Sequence, residues 1–166
     1  MDGIRDRLGA EAVISWEHSL IHSGKMFQVS EYDTDTDIIA PKQISILPVG
    51  QNQHIIFSVS ASASCKVQLV EGVAIGTGGS AAAGTAMVPT NRDRASLGLS
   101  SAVVHKDYVL GSSGQAAGTE IDAIYLPGVA RSAQEWILKA GTLYGLIITA
   151  IADNTVLSWS VDLYED

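Results

Sequence analysis

The sequence predicts an all-β chain, an antiparallel β-sandwich of jelly-roll type with an extended N-terminal arm. Three observations carry this. From residue 25 onward apolar residues recur mainly at every second position, the period of a half-buried strand. Clusters of Gly, Pro, Asn and Asp cut that pattern into short segments. No stretch sustains the 3.6-residue period of a long helix. The length of 166 residues suits a single core, so the chain divides into an arm over residues 1–24 and a sandwich over 25–166.

The elements follow in order. Asp6–Ile14 has a weak helical pattern broken by Gly9, so the first 24 residues are read as an arm with little core of its own. Ile44 and Ile46 alternate with Gln43 and Ser45. Ile55, Phe57 and Val59 alternate with His54, Ser58 and Ser60. Cys65, Val67 and Leu69 alternate with Lys66 and Gln68, and Leu157, Trp159, Val161 and Leu163 with Ser158, Ser160 and Asp162. Each pattern buries one face and wets the other. Ile121–Leu126 and Leu143–Ile151 are apolar at both parities, which predicts cover on both faces, from the fold itself or from another subunit. Pro48–Asn52, Gly111–Gly114, Pro127–Gly128 and Asp153–Asn154 read as turns. Residues 72–84 read as a long loop of small residues, and Thr90–Arg94 as a polar connection. About eight to ten strands result, a number that suits a jelly roll.

Composition narrows the function classes. With 46% hydrophobic and 17% charged residues, the chain is too apolar for disorder. The longest apolar run falls well short of the roughly 18 residues of a membrane span. The first residues lack the apolar core of a signal peptide. A single cysteine, Cys65, allows no internal disulfide and fits synthesis in a reducing cytosol. A net charge of −8 with scattered basic residues argues against direct nucleic-acid binding, which needs clustered Lys and Arg.

Residues 16–27 are the richest in candidate chemistry. His18 and His22 are four apart, the spacing of a metal pair on a helix. The zincin order is His-Glu-x-x-His, however, and here Glu17 precedes the first histidine. No third ligand is close in sequence. On a strand the two rings would lie about 13 Å apart. They are therefore read as contact residues, and no metal is expected. Asp33, Asp35 and Asp37 resemble the opening of a calcium loop, but Ile38 stands where that loop needs Gly and Ile44 where it needs Glu. A looser cation site between loops is the remaining option there. Gly76–Gly79 lacks the Gly-Lys-[Ser/Thr] ending of a phosphate cradle. His54 and His105 lack the His-x-His neighbourhood of a cupin metal site. Cys65 reads as a buried thiol with no basic partner nearby. No Gly-x-Ser-x-Gly elbow is present. Trp16, Trp136 and Trp159 read as core or interface anchors. No cofactor and no enzymatic activity are expected.

Three blocks carry a family resemblance. Glu17-His18-Ser-Leu-Ile21-His22-Ser-Gly24-Lys25-Met-Phe27 resembles the opening of a group of tailed-bacteriophage head proteins, the capsid decoration or cement proteins. Asn91-Arg92-Asp93-Arg94 with Ser96 resembles a second block. Glu135-Trp-Ile137-Leu138-Lys139, with Gly141-Thr142, Tyr144, Asp153-Asn154 and the ending Tyr164-Glu165, resembles a third. The blocks fall in order over nearly the whole chain, and none is a catalytic signature.

The resemblance implies a β-sandwich, usually a homotrimer, that sits on the exterior of the virion capsid and clamps neighbouring major capsid protein subunits. Such a protein is made in the host bacterial cytoplasm. The resemblance implies an arm contacting capsid or a sister subunit at Trp16, His18, Ile21, His22, Gly24, Lys25 and Phe27, and a structural connection at Asn91, Arg92 and Arg94. Three copies bound together would multiply weak arm contacts through effective concentration. Two other classes compete. A trimeric tail-fibre or receptor-binding domain predicts a loop-tip pocket for a host glycan, and a small jelly-roll enzyme or cupin predicts bound metal.

Overall fold

The computed structural model describes residues 4–5, 11–12, 16–38, 41–50, 53–74, 84–107, 118–127 and 134–165. It is an all-β sandwich of two antiparallel sheets. The long strands are β3 (Met26–Thr36), β4 (Lys42–Leu47), β5 (Gln53–Ala61), β6 (Ser64–Glu71), β10 (Thr119–Pro127), β12 (Tyr144–Ala150) and β13 (Thr155–Glu165). Shorter ones are β7 (Thr85–Met87), β8 (Thr90–Asn91), β9 (Val103–Lys106) and β11 (Gln134–Leu138). One sheet runs β11-β5-β13-β3-β8, the other β10-β6-β12-β4-β9-β7. Thus β3, β5, β11 and β13 lie in one sheet and β4, β6, β10 and β12 in the other. Between successive long strands the chain changes sheet at four of six steps, β3 to β4, β4 to β5, β5 to β6 and β12 to β13.

The period-two pattern explains the layers. On β5, Ile55, Phe57 and Val59 point inward and are buried, while Ser60 is exposed. On β13, Leu157, Trp159, Val161 and Leu163 do the same. In one continuous core these meet Cys65, Val67 and Leu69 of β6, Ile44 and Ile46 of β4, and Leu146 and Ile148 of β12, all in the opposite sheet. Each fully buried aliphatic or aromatic side chain of this kind stabilises the fold by about 1.5–3 kcal/mol relative to exposure. Trp159 is core, as its parity predicts, and Trp136 packs partly buried against it. Cys65 is a buried free cysteine, and burial pushes its thiol pKa up.

The inward parity of β3 turns charged beyond Val29. There Glu31 meets Lys106 of β9, and Asp33 meets Lys42 of β4. The two ion pairs tie the sheets together. The Lys42 bond holds the Asp33 carboxyl below its ordinary range. Asp33, Asp35 and Asp37 do not converge. Asp33 faces Lys42 and accepts from the backbone of Asp35, while Asp37 accepts from the backbone of Asn154. Asp153–Asn154 is a turn as expected, with Asn154 in the left-handed region at φ 55°. The expected turn at Gly111–Gly114 and most of the loop 72–84 fall outside the described residues.

The N-terminal region departs from an extended arm. Ile4–Arg5 (β1) and Glu11–Ala12 (β2) form a short antiparallel ladder, which leaves most of the weak helical pattern at Asp6–Ile14 outside the described residues. A seven-residue helix, α1 (Trp16–His22), follows. The strand spacing considered for His18 and His22 therefore does not apply. The helix closes with two bonds, Gly24 N donating to Ile21 O at 2.9 Å and Lys25 N to Leu20 O at 3.0 Å. This is the pattern of a helix stop at a left-handed glycine, and Gly24 has φ 69°. Leu20 is buried against Met26 and Tyr164, with Ile21 and Ile56 packed beside them. The helix thus covers part of the outer face of the five-stranded sheet.

Candidate interaction surface

The first two sequence blocks and the Tyr164-Glu165 ending of the third meet at one end of the sandwich, while Asp153-Asn154 lies at the other end beside Asp37. Phe27 pairs with Asn91 and Gln28 with Thr90, so β8 extends the start of β3. Arg92 N donates to Met26 O at 2.8 Å. The Arg92 guanidinium donates to Glu17 of α1 at 3.3 Å, lies 3.9 Å from Asp162 of β13, and contacts the Met26 sulfur at 3.3 Å. Asp162 is half-buried, and burial raises its pKa against the opposing pull of Arg92. Tyr164 lies beneath the helix with its hydroxyl pKa pushed up by burial to about 12.

Asn91 is the hub. It is 7% exposed. Its side-chain nitrogen donates to Gly24 O at 2.8 Å, to Ser96 Oγ at 3.3 Å and to Gly98 O at 3.4 Å, while its oxygen accepts from Asp93 N at 2.9 Å. Asp93 accepts from Ala95 N, and Ser96 Oγ from Gly98 N. Asn, Asp and Ser side chains stand in for backbone partners in such turns. Gly24 is required where it meets this loop, because a Cβ there would lie 2.4 Å from Ser96 Oγ. Farther on, Glu165 Oε1 accepts from Ser101 N at 2.7 Å, Ser100 Oγ at 2.8 Å and Gln53 Nε2 at 3.0 Å.

This fastened loop presents apolar groups to water. Leu97 is 97% exposed and Leu99 is 82% exposed. Val49, in the adjoining connection after β4, is exposed too, and Gly50 lies against Ser101. Exposed leucines on a loop held by at least seven side-chain hydrogen bonds lose little freedom when they dock.

The predicted contact residues divide. His18 and His22 are exposed on α1 with Nε2 atoms 2.9 Å apart. Lys25 is exposed, and Ile21 is half-buried against the sheet. Phe27 belongs to the core rather than to a contact surface, because its parity on β3 turns it inward. Gly24 shapes the backbone. Trp16 opens α1, and its side chain lies outside the described residues. Asn91 and Arg92 do connect elements, while Arg94 is exposed. Leu97 and Leu99 escaped the sequence reading. Their signal is Ser-Leu-Gly-Leu-Ser, two large apolar residues among turn formers with no strand period around them.

Elsewhere, His54 pairs with Glu135 at 2.8 Å across β5 and β11. A groove of 490 Å³ opens between β3 and β7, lined by Val29, Ala86, Met87, Val88 and polar Gln28 and Ser30, with Lys106 already paired to Glu31. Among the described residues no three His, Cys, Asp or Glu side chains gather as a metal-binding group. Among the described residues no helix is long and apolar enough to cross a membrane. No protein-family model matches the chain, and no curated protein matches its sequence.

Proposed function

We propose that this protein is a structural component of a bacteriophage virion that binds the exterior of the assembled capsid and clamps major capsid protein subunits. The carrying observation is the joining of α1 to the Asn91–Ser96 turn, with Leu97 and Leu99 held out from it. These two sequence blocks are the ones that resemble decoration proteins, and they lie more than 60 positions apart. A clamp needs a rigid body and preordered apolar contacts at a surface, and groups already held in place lose little freedom on docking.

The strand order supports the jelly-roll reading. The orders β3-β13-β5-β11 and β4-β12-β6-β10 interleave as two Greek keys wound together. We keep residues 1–24 as the arm, of which α1 packs against the sheet. The protein acts as a homotrimer, to which the exposed edge strand β10 contributes Ile124 and Tyr125. It needs no cofactor and catalyses no reaction.

The test is binding to purified phage heads, emptied of DNA, in expanded and unexpanded forms. Stoichiometric binding to expanded heads is expected. Leu97→Ser with Leu99→Ser should leave the fold intact and weaken binding by at least about tenfold, since the burial of two leucine side chains is lost. Removal of residues 1–15 should weaken it further without unfolding the domain. Absence of binding to any shell, or unchanged binding by the double variant, overturns the assignment.

A further inference from the structure

We propose that His18 and His22 form a two-point chelate for a divalent transition-metal ion on the exposed face of α1, with tetragonal Cu²⁺ or Ni²⁺ as the ion best suited. Local backbone geometry creates the pair. Residues four apart on a helix are surface neighbours, and α1 runs through both positions. The rings stand edge to face with centroids 4.5 Å apart, and their Nε2 atoms are 2.9 Å apart. In the neutral apo pair, one Nε2–H donates to the other ring's Nε2.

Imidazole nitrogens bind at about 2.0–2.1 Å, so two ligands are about 2.8–3.0 Å apart at right angles and about 3.3–3.4 Å apart at the tetrahedral angle. In the metal-free pair the 2.9 Å is a hydrogen bond, and small rotations of the two rings bring both nitrogens onto one ion. Two imidazoles with water in the remaining positions suit a tetragonal ion, and nitrogen sites bind Cu²⁺ most tightly among the first-row divalent ions. Binding requires the donating ring to move its proton from Nε2 to Nδ1, so that both Nε2 lone pairs face the ion. No proton need leave a neutral pair.

The surroundings define the site as two-point. Glu17 adjoins His18, but its carboxylate takes the Arg92 guanidinium at 3.3 Å. Both histidines are exposed, so water can fill the other positions. The helix is held by the Gly24 stop and by Leu20 against the sheet, which fixes the spacing before any ion arrives. This proposal is independent of capsid binding.

The experiment is titration of the full chain with Cu²⁺ in a non-coordinating buffer, followed by calorimetry and by electron paramagnetic resonance. Parent protein should bind one ion at this site with an axial spectrum split by two histidine nitrogens. His18→Gln and His22→Gln each leave one imidazole, and each should lower affinity by at least about tenfold. Both positions are exposed, so the variants should retain the parent circular dichroism. If either single variant binds Cu²⁺ as tightly as the parent, or the parent shows no two-nitrogen spectrum, the chelate is excluded. A parent that binds no Cu²⁺ excludes it equally.

Discussion

Strands β10 and β12 carry the same sequence signature and meet different environments. Ile121–Leu126 and Leu143–Ile151 are both apolar at each parity. β12 lies in the interior of its sheet, between β4 and β6, with Leu146 and Ile148 fully buried and Gly145 covered on the opposite face. β10 is the edge strand beyond β6, and only Leu126 is buried, while Ile124 and Tyr125 are exposed. A bulge between Glu120 and Asp122 shifts the register, and Ile121 packs partly against the core. Lack of alternation reports that both faces are apolar. It does not report what covers them. In β12 the cover is the fold, and in β10 Ile124 and Tyr125 face outward uncovered by it.

The largest expected effect comes from a charge in the centre of β12. Leu146 pairs with Ile44 on one side and Leu69 on the other. An uncompensated buried carboxylate costs more than about 4 kcal/mol, a large part of a domain's total stability. Leu146→Asp should therefore show no cooperative thermal transition by circular dichroism. Truncation sharpens the contrast. Leu146→Ala should cost about 3–4 kcal/mol, and Leu126→Ala on β10 about 2 kcal/mol, because an edge site collapses more readily around the void. Urea midpoints at unchanged slope would measure both. Equal losses would mean that the two strands are equally enclosed.

The contrast also shows what the sequence disclosed. β5, β6 and β13 were legible because each buries one alternating face, although Ile56 interrupts the polar row of β5 where α1 covers it. The helix α1 was not, since seven residues hold less than two full turns of any period. Its usable signal was Gly24, a stop residue read only as part of a motif. β7 and β8 span three and two residues, too short for a pattern. In the candidate surface, the resemblance marked Glu17 and Arg92 separately. Only the pairing of β3 with β8 brings them within 3.3 Å. Phe27 was misplaced as a contact residue because motif membership does not distinguish core from surface.

A smaller effect lies where the two strands share a neighbour. Glu71 of β6 faces Thr119 of β10 and Tyr144 of β12. Its carboxylate accepts from Lys139 at 2.5 Å and from the Tyr144 hydroxyl at 3.1 Å, so its side-chain interactions favour the β12 side. The Lys139 bond holds its pKa below the ordinary carboxylate range. A carboxyl with a lowered folded pKa stabilises the fold fully above its unfolded pKa and loses that contribution as pH falls through the folded value. Glu71→Gln should thus flatten part of the acid limb of stability against pH and leave a modest loss at neutral pH. An unchanged acid limb would show that the Lys139 contact is solvated away.

The smallest effect on stability should have the largest effect on assembly. Tyr125 is 57% exposed and sits opposite Lys66 on the outer face of β10. Tyr125→Lys removes little buried area, so the unfolding free energy of the monomer should change by less than about 0.5 kcal/mol. An edge strand with an exposed apolar face templates pairing, and an added lysine is the usual means of blocking it. Facing copies of a −8 chain can associate only where apolar contact outweighs repulsion. If the proposed homotrimer forms through β10, the parent should sediment as a trimer and the variant as a monomer, with both retaining the same circular dichroism. If the variant remains a trimer, β10 is not the joining edge, and its apolar parity reflects only the partial packing of Ile121 and Leu126.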